Sequence, residues 1–245
     1  ALYSKSYEVV LLQVPYIERF NTKIVYPSYI YENDKLYENI GDLSIPYGSK
    51  VNWEFYTSET DNLAISIANK SVPLLKNDNF FTGTLTIYES SVYSVSLSNM
   101  SIDKPDYIQY SINVIPDLFP SLKIEQETDS INLEYIYFKG SISDDYGFTN
   151  LTFHVYPIDF RDSSLIVSIP FNKKLKNQEF YYMFDFSSFK AYEKSDFEYY
   201  FEVSDNDEIN GYKISRSEIF TFHKPTLEEI LAKKDLLMDQ VQENL

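Results

Sequence analysis

The chain has 245 residues, a formal charge of −16 and no cysteine, and 17% of it is aromatic, with 23 Tyr and 18 Phe against only 6 Gly. The charge argues against nucleic acid and against anionic lipid, both of which need clustered Lys and Arg. The missing cysteines exclude disulfides, thiol catalysis and cysteine-type zinc sites. No apolar run approaches the roughly 20 residues of a membrane helix, and residues 1–15 lack the plan of a signal peptide. If the protein is exported or anchored, the signal is expected outside these residues.

Abundant Tyr, Phe, Ile, Val, Thr and Ser, with helical periodicity confined to the C-terminal end, give an all-β expectation. Residues 1–20 read as a lead-in segment, in which Tyr7 to Leu12 could form a strand. A first β-sandwich is expected over 21–115. Its strands are Asn21 to Tyr26, the edge-type Asp42 to Gly48, Lys50 to Ser58, Leu63 to Ala68, Thr84 to Tyr88, Val92 to Leu97 and Tyr107 to Ile115. Ser28 to Gly41 reads as a long connection. Pro116 and Pro120 bracket a stiff linker over 116–120.

The second sandwich, 121–224, is easier to read. Leu122 to Gln126, Tyr135 to Ser143, Asn150 to Tyr156, Leu165 to Phe171, Glu179 to Phe186, Phe197 to Val203 and Arg216 to Phe222 give seven strands in immunoglobulin or fibronectin type III order. In the sixth, Phe197, Tyr199, Phe201 and Val203 alternate with Glu198, Tyr200, Glu202 and Ser204, the period of a half-buried strand. Tyr93 and Tyr199 open matching strands, the place of a tyrosine corner whose hydroxyl bonds upstream backbone. Trp53 falls on what reads as strand B of the sandwich rather than strand C, which favours the fibronectin-like variant.

Beyond Pro225 the period changes. Thr226 and Glu229 form a capping box, and Leu227, Leu231, Met238, Val241 and Leu245 follow as an apolar stripe with Lys234 in the missing step. A C-terminal α-helix over 225–245 is expected. It either packs back on the second sandwich or continues as a longer helix or coiled coil that meets a protein partner or a second copy, through Leu231, Met238 and Val241.

Several segments together resemble a known family. They are Val14 to Ile17 with Ile24 to Tyr29, Asn39 to Asp42 with Pro46 to Ser49, Val114 to Asp117, Ser143 to Phe148, and Tyr199 to Gly211. The pattern is similar to the large domain-of-unknown-function proteins of Bacteroidota envelopes, from about Val14 to the C-terminal helix. In those proteins membrane helices precede β-sandwich modules and a long helical region follows. The resemblance implies a membrane-anchored protein with these modules on the periplasmic side, and it carries no catalytic residue across. Asp207-Glu208-Ile209-Asn210-Gly211 departs from the Asp-Gly-Val-Asn-Gly common there, so a strict calcium-loop reading does not transfer.

Carboxylates are the sharpest chemical feature. The topology brings the loops holding Asp144, Asp145, Asp205, Asp207 and Glu208 to one pole, and Asp117 arrives there from the linker. Such oxygens could hold Ca²⁺ and stiffen the joint of an adhesive spacer. The simpler reading is that Asp and Asn make the turns, with side chains bonding nearby backbone. Calcium is the one candidate ion; no other cofactor is expected. Tyr29, Tyr31 and Tyr37, with Tyr26, could form a sugar-stacking or protein-binding surface, as in a carbohydrate-binding module, or pack over the first sandwich. His154 and His223 lack ligand partners at metal spacing, and no phosphate loop or nucleophile elbow occurs. The expectation is two tandem immunoglobulin/fibronectin III-like β-sandwiches plus a C-terminal helix, serving as a non-catalytic structural or protein-interaction region.

Overall fold

A computed structural model describes residues 12–102, 107–189 and 195–243. The expected lead-in strand at Tyr7 to Leu12 lies outside the described residues except for Leu12. The chain divides into two units, Ala1–Pro116 and Asp117–Leu245.

The first unit holds ten strands among its described residues: β1 (Tyr16–Val25), β2 (Lys35–Glu38), β3 (Leu43–Pro46), β4 (Lys50–Ser58), β5 (Asn62–Ile67), β6 (Lys70–Val72), β7 (Leu74–Asn77), β8 (Phe80–Thr86), β9 (Ser91–Ser98) and β10 (Tyr107–Ile115). One sheet runs β2-β1-β4-β8-β7 and the other β3-β10-β9-β5-β6. All pairings are antiparallel except β3 with β10, which are parallel. Strict alternation in β4 buries Val51, Trp53 and Phe55 on one face, against Ile65, Tyr93 and Val95 of the other sheet. One core shared by two sheets is what makes the unit a sandwich.

Several strands differ from the sequence expectation. The first strand begins at Tyr16 rather than Asn21, and the connection 28–41 contains β2. The strand expected at Thr84 to Tyr88 is β8, shifted upstream with Gly83 inside it. Gly83 sits opposite Trp53 in the ladder, and any Cβ there would meet the Leu74 side chain. A glycine that reads as a strand breaker is therefore a close-approach site.

In the second unit the strands are β11 (Ser121–Thr128), β12 (Tyr135–Ser143), β13 (Phe148–Pro157), β14 (Leu165–Ser168), β15 (Asn177–Asp185), β16 (Asp196–Asp205), β17 (Ile214–Arg216) and β18 (Phe220–His223). The sheets are β11-β12-β15 and β14-β13-β16-β17, with β18 also pairing β16. This is a β-sandwich of immunoglobulin- and fibronectin III-like strand order. Its core is aromatic: Phe138, Phe153, Phe186, Phe197, Tyr199 and Phe201 are all buried. The expected last strand is in fact two. Between the pairs Glu202↔Arg216 and Tyr199↔Phe220, β16 advances three residues while its partner advances four. The extra residue is a β-bulge.

Helix α1 spans Leu227–Glu243. Its capping box forms: the Thr226 N–H donates to Glu229 Oε2 at 2.7 Å, and the Glu229 N–H donates to Thr226 Oγ1 at 3.3 Å. Leu231 and Met238 are exposed. The Val241 side chain lies outside the described residues. No helix among the described residues is long and apolar enough to cross a membrane.

Candidate functional site

Two places in the second unit gather polar side chains. The first is the acidic pole. The β16–β17 loop is closed by its own side chains: Asp205 Oδ1 accepts from the Lys213 amide at 2.7 Å, and Asp207 Oδ1 accepts from the amides of Ile209 and Asn210 at 2.9 and 3.0 Å. Across the pole, Asp144 Oδ2 caps the amides of Tyr146 and Gly147 at 2.9 and 2.8 Å. Asn206 Nδ2 donates to the Tyr146 carbonyl at 3.1 Å and ties the two loops together. Gly147 has φ +124°, and a Cβ there would lie 2.5 Å from the Lys173 carbonyl oxygen, so the turn requires glycine.

Lys213 is the centre of this pole. Its ammonium lies 2.8 Å from Asp207 Oδ2, 3.0 Å from Asp205 Oδ2 and 3.0 Å from Asp117 Oδ1. The three carboxylates are almost fully buried, and the lysine is largely so. Burial alone would lower the lysine pKa, but bonds to Asp207, Asp117 and Asp205 outweigh it and hold the ammonium above its ordinary range. The Asp207 carboxyl stays below its usual range because Lys213 and the Asn210 and Ile209 donors overcome its burial. Asp117 goes the other way. Burial, helped by Asp145 and Asp207, pushes it up to about 6 despite Lys213. Burial also raises Asp144, with the two amides opposing and Asp145 and Asp205 adding to the rise.

Of the six carboxylates singled out by sequence, the structure thus joins Asp117, Asp205 and Asp207 through one ammonium. Asp145 stands close by, accepting from the Leu118 amide at 3.4 Å, and Asp144 acts as a turn cap. Glu208 is exposed. The position a cation would take between the three joined acids is filled from within the chain. Among the described residues no set of three or more His, Cys, Asp or Glu is arranged to hold a metal ion. One oxygen each of Asp117, Asp144 and Asp145 is buried without a hydrogen-bond partner.

Of the two readings of the tyrosines in the first unit, packing over the sandwich describes Tyr29 and Tyr37. Tyr29 is buried, because a turn closed by the Ile30 amide on the Pro27 carbonyl (3.0 Å) tucks Tyr29 and Ile30 inward. Tyr37 packs partly buried against the core, and Tyr31 alone of the three is exposed. The corner tyrosines also differ from expectation in part. The Tyr93 hydroxyl bonds upstream backbone, the Gly41 carbonyl at 2.8 Å, but that of Tyr199 bonds a side chain, Gln126 Oε1 at 2.6 Å.

The second place is a cleft of about 330 Å³ lined by Tyr156, Arg161, Tyr200, Arg216, Ser217 and Ile219. It lies on the outer face of the sheet, at the bulge between β17 and β18. Ser217 seals the bulge: its amide donates to the Phe201 carbonyl at 2.9 Å and its hydroxyl accepts from the Phe201 amide at 3.0 Å. Tyr200 stacks on His154, with ring centroids 4.6 Å apart, and burial lowers the His154 pKa.

No protein-family model matches the chain. No curated protein matches it either. Among solved structures, a marsupial T cell receptor aligns with 74% of this chain and 69% of its own at 9% identity and a TM-score of 0.33. The fibronectin(III)-like modules of Clostridium thermocellum CbhA align with 74% and 87% at 13% identity and 0.26. A chimeric titin Z1Z2 tandem aligns with 71% and 92% at 11% identity and 0.27. These scores are low, and the sandwich description rests on the strand order above.

Sequence reasoning missed Lys213 and the arginine cleft. Lys213 had a usable signal, being the one basic residue between Asp196 and Ser215 in a stretch rich in acids. Buried acids seek a cation. The cleft had none, because its residues meet only through strand register and the bulge.

Proposed function

We propose that the chain is a non-catalytic structural and protein-interaction region of a membrane-anchored cell-envelope protein, held on the periplasmic side. The observation that carries this reading is the Lys213 ammonium closed among Asp117, Asp205 and Asp207. Among the described residues, this group of ionisable side chains is engaged in holding loops, where an enzyme would keep an acid or base open to substrate. In this reading the Lys213 ammonium braces the pole of the second sandwich from within the chain. The envelope setting follows from the resemblance to the Bacteroidota envelope proteins, whose anchors precede the sandwich modules. In this reading a protein partner or a second copy meets α1 at Leu231 and Met238, both exposed.

The test is mechanical. The chain is held by its two ends and extended in a single-molecule pulling experiment. A structural spacer unfolds in two discrete steps, one per sandwich, and Lys213→Met lowers the force of one step only. Gradual yielding without steps would contradict the reading.

A further inference from the structure

We infer that the cleft at the β17–β18 bulge is a recognition site for a carboxylate side chain, Asp or Glu, presented by a partner protein. The inference rests on the interaction half of the reading above and names the chemistry of the partner. The chain has three arginines, and two of them line this one cleft. On a molecule carrying −16 that concentration is local and specific.

Both guanidiniums are positioned. The Arg161 group lies over the Tyr156 ring at 5.2 Å and the Arg216 group over Tyr200 at 5.4 Å. Each is gripped by a single carboxylate, Arg161 Nη2 by Glu198 Oε2 at 3.0 Å and Arg216 Nε by Glu202 Oε2 at 2.7 Å. The Tyr156 hydroxyl donates to the same Glu198 oxygen at 2.8 Å. Among the described residues these bonds engage one nitrogen of each guanidinium. The two Nη groups of Arg216, and Nε and Nη1 of Arg161, remain to donate. A planar fork of such donors matches a carboxylate in two-point fashion. The two glutamates sit beneath as orienting groups and neutralise the arginines, so the site suits one added negative charge rather than a polyanion.

The bulge makes the recess, and its sealing by Ser217 means the recess is built rather than frayed. Ile219, exposed at the rim, offers apolar contact beside the charge. Tyrosine and arginine around a small recess are the residue types that dominate binding at protein interfaces, and the volume fits one or two side chains.

The experiment titrates the ¹⁵N-labelled chain with acetyl-Leu-Glu-amide, with acetyl-Leu-Gln-amide and with glucuronate, following amide and Arg Nε–H resonances. The glutamate probe is expected to shift Ser217, Ile219 and the Arg161 and Arg216 side chains, with the glutamine probe about tenfold weaker. The double substitution Arg161→Gln with Arg216→Gln should abolish the shifts while amide resonances away from the cleft keep the dispersion of the folded parent. Equal response to both peptides, or none to either, would overturn the inference. A stronger response to glucuronate would overturn the partner class in favour of a sugar acid. If the probes fail while pulling still gives two steps, the cleft inference falls and the structural reading stands.

Discussion

Lys213 and Asp117 are 96 residues apart in sequence and their side chains meet at 3.0 Å. The contact ties the first residue of the second unit to the loop after β16, and Asp205 and Asp207 complete the shell around the same ammonium. Removing the lysine leaves three nearly buried carboxylates without their cation. Lys213→Met is therefore expected to cost about 3–5 kcal/mol, the usual penalty for breaking a buried ion pair. Urea denaturation of both proteins measures it, and a loss within experimental error would mean that the cluster contributes nothing.

The same lysine sets a limit at high pH. Its folded pKa lies above the ordinary 10.5, so its contribution is complete below 10.5 and is lost as pH rises through the folded value. The stability gap between parent and Lys213→Met should stay constant from neutral pH up to about 10.5 and close above it. A gap that narrows between pH 7 and pH 10 would contradict the assignment.

Asp117 has the opposite leaning for an acid. With its carboxyl pushed up from 3.8 to about 6, the folded chain holds a proton there that the unfolded chain releases between those values. Acidification from pH 6 toward pH 4 should thus stabilise the parent relative to Asp117→Asn, which cannot take up that proton. Carboxyl ¹³C titration of Asp117 supplies a direct check on its midpoint.

Much of the fold was legible because burial on two sheets leaves a period of two. In β4 and β16 the alternation Val51, Trp53, Phe55 and Phe197, Tyr199, Phe201 maps directly onto buried positions. The short strands β2, β6 and β7 escape this reading, since β2 and β7 bury no residue fully and β6 only Val72. Their strand state comes from neighbours' hydrogen bonds rather than their own pattern. At the site, the local turn chemistry of Asp144, Asp205 and Asp207 was readable from residue type. The lysine between them, and the shared lining of one cleft by Arg161 and Arg216, depend on long-range register that no local window contains.

The two corner tyrosines separate a backbone bond from a side-chain bond. Tyr93→Phe strands the buried Gly41 carbonyl and should cost about 1–3 kcal/mol, whereas Tyr199→Phe frees an exposed Gln126 that can turn toward water, costing about 0.5–1.5 kcal/mol. Urea midpoints in the opposite order would refute this account of the two bonds.

The acidic pole carries its cation, the Lys213 ammonium, within the chain. Thermal unfolding of the parent and of Lys213→Met, each with calcium chloride and with EDTA, tests it most directly. The parent should unfold at one temperature in both conditions, with Lys213→Met well below it. A parent stabilised by calcium and weakened by EDTA, with Lys213→Met unfolding at the same temperatures, would make a divalent ion the cation of the pole.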